Sequence, residues 1–190
     1  ISHGLLGFAM VFFAIWWAWM NFTWFASAYD CDDVPYRLLV FVQMIGALIF
    51  TAGLESMAVG DLRLGVAGYV VMRLAMVTQW LRAARNDPER RATALRYAFG
   101  ITAVQLLWVA FLAVPPSAVV PGFFALVVME VLLPIWAERA GRTPWHPHHI
   151  AERFGLMTII VLGESVLAAT VATEGALAAG QASVALLPII

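Results

Sequence analysis

Six polar side chains stand inside long apolar stretches of this chain: Asn21, Gln43, Arg73, Gln105, Glu130 and Glu164. Arg73 poses the sharpest chemical problem. It lies in "VVMRLAM", and a guanidinium keeps its charge at any accessible pH. In apolar surroundings that charge needs an anion, and Glu130 and Glu164 are the candidates. Two chemistries can follow. The pair can simply hold helices together. Alternatively, Arg73 holds an anionic group of a substrate, or a carboxylate exchanges a proton, with Asn21, Gln43 and Gln105 as neutral ligands. Charges at membrane depth mark function by default, so a substrate- or ion-binding site is the expectation.

The elements that position these residues are membrane spans. Hydrophobic residues make up 63% of the 190-residue chain and charged residues 12%, about half the charged share of a soluble domain. Six runs reach the roughly 20 apolar residues a spanning helix needs: 5–28, 36–57, 65–83, 92–114, 119–137 and 150–172. None shows the alternation of a barrel strand. The expected fold is all-α, a polytopic transmembrane helix bundle forming a single domain over residues 1–190. A seventh run is expected to start near Ala176, and the apolar ending "LLPII" reads as part of a longer chain. At 1.5 Å per residue from one face, Asn21 and Gln43 lie about 10–12 Å deep and Glu130 about 13 Å. Arg73 lies about 15 Å deep, and Gln105 and Glu164 about 20 Å. One polar residue from each span therefore falls in a band around the midplane of a core about 30 Å thick.

The loops set a sidedness. "DCDDVP", "RNDPER" and "GRTPWHPHH" share one side, close to Arg37, Arg82, Arg85, Arg90, Arg91, Arg139 and Arg142; the other side has Arg63. The positive-inside rule places the Arg-rich loops 82–91 and 139–142 in the cytoplasm, for a protein of the inner (plasma) membrane. The N-terminal residue is then outside, which requires an odd number of earlier spans if the protein starts inside. Asp30, Asp32 and Asp33 end the first span and begin the next. Asp33 is placed to cap the second helix, and Pro35 suits its first turn. Arg37, one turn on, is placed to pair with one of these acids. With Glu152 and Arg153 they would form a cytoplasmic entrance. Arg153 and Glu164 are separated by about 20° on a helical wheel and share a face.

Three stretches carry a family resemblance: "FFAIWWAWMNFTWFASAYDCDDVPYRLLVFVQM", "GYVVMRLAMVTQWLRAARNDPERRATALRYAFGI" and "HHIAERFGLMTIIVLGESVLA". In this order they resemble the low-temperature-requirement A (LtrA) family of bacterial membrane proteins, over nearly all of residues 4–170. The resemblance implies a longer polytopic helical protein and brings no reaction with it. It also implies a preceding span with an acidic "ELFFDLVFVFA"-like motif. "ERFGLMTIIVLGE" is similar to that motif, as a second repeat starting near residue 150 would be.

Other features exclude more than they assert. A net charge of −1 gives no case for nucleic acid, and Cys31, the single cysteine, allows no internal disulfide. The three aspartates could attract a hard cation, but caps and a solvated loop explain them as well, and no metal site is expected. His146, His148 and His149 lack a cysteine or acid at ligand spacing and read as a pH-responsive or headgroup-facing loop. No nucleophile–base pair and no glycine-rich phosphate loop is present, so neither an enzyme nor a cofactor is expected. The partners expected are the lipid bilayer and a small solute or ion. The function expected is a secondary transporter or channel. Its rival is a non-transporting sensor or assembly protein whose polar band is structural.

Overall fold

The computed structural model describes residues 2–58 and 60–178. Among these residues every regular element is helical. In order they are α1 (Ser2–Ala28), α2 (Val34–Ala52), α3 (Leu54–Ala58), α4 (Arg63–Asn86), α5 (Arg91–Ala110), α6 (Val119–Glu138) and α7 (Pro147–Ala178). Two short 3₁₀ turns, Phe111–Ala113 and Pro116–Ala118, join α5 to α6. Six helices are long and apolar enough to cross a membrane, all but α3. The seventh run expected from Ala176 falls, beyond Ala178, outside the described residues.

The expected second span, 36–57, is too long. The structure starts α2 at Val34, ends it at Ala52 and sets the short α3 beyond it. Gly53 is the C-cap. Its N–H bonds back to the Ile49 and Phe50 carbonyls, closing the helix, and a Cβ on it would come within 2.8 Å of the Gly65 nitrogen. The start of α4 can approach only because that Cβ is missing. The other end of α2 matches the sequence reading. Asp33 is the N-cap and accepts the Tyr36 N–H at 2.7 Å, with Pro35 in the first turn.

The chain forms two compact units, one ending at Trp145 and the other beginning at His146. The second repeat expected from the sequence has its expected start near residue 150. Pro144 and Pro147 flank the boundary, and neither has an N–H with which to carry a helix through.

In the first unit α2 lies along α4, α4 along α5, and α5 along α6. Lipid tails are as apolar as leucine, so close packing has to hold such helices together. Gly46 and Gly68 supply it between α2 and α4. A Cβ on Gly46 would sit 2.8 Å from the Gly68 carbonyl oxygen, so the two backbones nearly touch. Between α4 and α5, Trp80 stacks on Tyr97 with centroids 4.1 Å apart and planes 7° from parallel. Phe25 of α1 meets Trp80 edge-on at 4.9 Å. Ala83, Ala84, Ala94 and Ala98 fill this core, where a larger side chain would push the helices apart.

Candidate functional site

The site is built on Glu130. Arg73 Nη2 lies 2.8 Å from Glu130 Oε2, joining α4 to α6. Both side chains are buried, at 5% and 4% exposure, so neither charge has water to lean on. Trp17 Nε1 of α1 donates to the same oxygen at 2.7 Å, and Trp108 Nε1 of α5 donates to Oε1 at 3.2 Å. One carboxylate therefore ties four helices. Arg73 also donates to the Tyr69 hydroxyl at 2.8 Å and lies over the Tyr69 ring, 4.8 Å from its centroid. Tyr69 is four residues before Arg73, so one turn of α4 brings the two together. Pro134, inside α6, has no N–H to return to the carbonyl four residues back, which is that of Glu130. α6 runs through the proline as one helix.

Beside this pair is a cavity of about 80 Å³. Its walls are apolar and include Met10, Phe50, Val66, Phe111 and Phe123, with Tyr69, Trp108 and Glu130 also at its edge. The wall residues lie toward the helix ends remote from the Arg-rich loops: early in α1, late in α2 and α5, early in α4 and α6.

The structure brings together only part of the expected band. Arg73 and Glu130 meet. Glu164 lies on α7, in the second unit. Asn21 Nδ2 donates to its own helix, to the Trp17 carbonyl at 2.7 Å. Gln43 donates to Gln79 Oε1 at 2.7 Å, an α2–α4 bond. Gln105 is buried, and among the described residues neither polar atom of its amide has a hydrogen-bond partner.

The expected entrance residues divide similarly. Arg37 pairs with Asp32, and Arg82 with Asp33, both at 2.5 Å, while Asp30 is exposed. The Asp33 carboxyl is held below the usual range first by the Tyr36 N–H and then by Arg82. In the next loop burial tends to raise the Asp87 carboxyl, but bonds from Arg90 outweigh it and the net direction is down. Burial and the nearby Asp87 push the Tyr29 hydroxyl up. Within the second unit Glu152 faces His148 at 3.2 Å, the His146 and His149 rings lie 5.5 Å apart, and Arg153 lies on α7.

The sequence reading missed Trp17, Tyr69, Trp108 and Gln79. A signal for the tryptophans existed: a buried indole N–H seeks an acceptor, and acceptors are scarce in these spans. Trp17 is buried, with its N–H on Glu130.

Six membrane-length helices, four of them tied through one buried carboxylate, define a polytopic α-helical membrane protein. The whole chain, residues 1–190, matches the family model described as "Bacterial low temperature requirement A protein (LtrA)". The chain belongs to the LtrA family, as its motifs implied. An uncharacterized protein of Rhizobium meliloti (strain 1021) is 31% identical over 176 residues, covering 87% of this chain. The chain spans 43% of that relative's length. No solved structure matches.

Proposed function

We propose that the protein is a secondary transporter or channel for a small solute or ion, with Glu130 and Arg73 at its polar site. The observation that carries this reading is the cavity of about 80 Å³ that ends on Glu130. A pair serving only as glue has no need of a space beside it; a solute site does. In this reading the protein lies in the bacterial inner membrane, with the loops at 82–91 and 139–142 in the cytoplasm, so the cavity faces outward. No catalytic step is involved.

A second reading has its own support. Glu130 already accepts three hydrogen bonds, as a structural pair should. There the protein is a non-transporting sensor or assembly partner. Flux through liposomes separates the two. The full protein and its Arg73→Gln/Glu130→Gln variant are compared after size-exclusion chromatography confirms folding. A wild-type flux of protons, cations or small solutes that the folded variant loses supports transport. A wild type that moves none of them refutes it.

A further inference from the structure

Four arginines stand where α5 begins and α6 ends: Arg91, Arg96, Arg139 and Arg142. The two helix ends are tied together. The Tyr97 hydroxyl donates to Glu138 at 3.1 Å, and the Thr93 hydroxyl donates to the Gly141 carbonyl at 2.8 Å. Among the described residues none of the four arginines has a carboxylate partner. The acids of this end are engaged elsewhere. Asp87 and Glu89 face Arg90, and Glu138 accepts from Tyr97 and from the Thr143 N–H and hydroxyl. Four arginines against the single charge of Glu138 leave a local excess of positive charge.

Arg96 is the deepest of the four. It follows Arg91, the first residue of α5, by five positions, which is about 7.5 Å of helix. Its guanidinium lies over the exposed Trp136 ring of α6, 5.5 Å from the centroid. Among the described residues its hydrogen bond is to the Trp136 carbonyl, at a long 3.4 Å. A guanidinium has five N–H donors, so most of this fork is open. Arg139 follows Trp136 by three residues and stands on the same face of α6. One turn deeper the surface is apolar. Phe99 meets Trp136 with ring centroids 6.5 Å apart, and Leu95, Phe99, Leu132 and Ile135 are all exposed.

The face therefore carries open cations at one height and bare apolar side chains just beneath. A soluble anion meets only the first. A zwitterionic lipid brings a cation of its own to a surface already positive. An anionic phospholipid matches both layers: an arginine fork grips phosphate oxygens two at a time, and fatty chains cover the apolar face.

We propose that the α5–α6 face binds an anionic phospholipid of the adjoining leaflet, its phosphate on Arg96 and Arg139 and its chains over Phe99 and Ile135. The site is independent of the solute-site reading.

The test is native mass spectrometry of the purified full protein in detergent, titrated with dioleoyl phosphatidylglycerol and with dioleoyl phosphatidylcholine. The first phosphatidylglycerol should bind at least about tenfold more tightly than the first phosphatidylcholine. Arg96→Gln/Arg139→Gln, folded by size-exclusion chromatography, should lose most of that preference, at about fivefold for each arginine. Arg139 is exposed, so Arg139→Gln alone keeps the test open if the double variant misfolds. Arg37→Gln is the control: Arg37 lies on the start of α2 and pairs with Asp32, so its loss should leave the preference intact. Equal affinity for the two lipids overturns the proposal, as does an unchanged preference in the folded variants. Absence of any bound lipid, as when the rest of the full protein covers this face, overturns it too.

Discussion

The chain makes the same kind of ion pair at two depths. Arg73 and Glu130 are buried mid-helix at about 5% exposure, whereas Arg37 and Asp32, at the start of α2, are 61% and 83% exposed. The exposed pair can exchange its partner for water at little cost, so it orders a loop without committing the fold. The buried pair has no such alternative. Once Arg73 is in α4, an acceptor must meet it; Glu130 does so from α6, and Trp17 and Trp108 donate to that carboxylate from two further helices. The difference teaches that depth, not the identity of the charges, decides whether a pair is an ornament or an organiser of this bundle.

The largest test of that contrast removes one partner. Glu130→Ala leaves the Arg73 charge buried alone and should destabilise by about 3–5 kcal/mol, read from unfolding in detergent. Replacing both, as Arg73→Met/Glu130→Leu, should recover most of that loss. A double variant as damaged as the single would mean that the carboxylate matters for something besides neutralising Arg73. Next comes packing. Gly68→Leu forces α2 and α4 apart where the backbones nearly touch and should cost about 1–3 kcal/mol or more. Smaller again is Trp108→Phe, which removes the longer of the two indole bonds to Glu130. It should cost about 1–3 kcal/mol, with Trp17→Phe at the upper end because its bond is shorter. Removing the exposed partner, Asp32→Ala, should leave the unfolding midpoint unchanged within error.

How much of this was legible in the sequence depended on what each feature requires. Span number followed from length and hydropathy alone. The α2 start was legible because Asp33 and Pro35 act locally, on a helix end within three residues. The α2 end was not, because its C-cap Gly53 lies against Gly65 of another helix, and that is a tertiary fact. Arg73 announced its need for an anion, and Glu130 was one of two candidates. Asn21 and Gln105 share the depth, each one turn from an indole on Glu130, but a depth count does not say which side chain bonds to which. Trp17 and Trp108 were not legible because a depth count of polar residues leaves out the indole N–H groups.

The loop pairs sharpen the contrast through pH. The Asp33 and Asp87 carboxyls titrate lower in the folded chain than an ordinary aspartate. Their contribution is therefore complete above the unfolded value, near pH 4, and is lost as pH falls through the folded value. Unfolding midpoints followed from pH 7 downward should stay level to about pH 4 and then drop. Asp33→Asn should flatten that drop, and Asp32→Ala should leave it in place.

The central claim is that the cavity ending on Glu130 can be reached by solute. The direct measurement is cysteine accessibility in the full protein, in intact cells, on a Cys31→Ser background. A cysteine is placed at Val66, on the cavity wall, or at Ala75, in the core of α4. Each is treated with a membrane-impermeant trimethylammonium thiosulfonate. The account predicts modification at Val66 from outside and none at Ala75 until the protein is unfolded. Protection of both positions in folded protein would contradict it, leaving Arg73 and Glu130 as a dry structural pair.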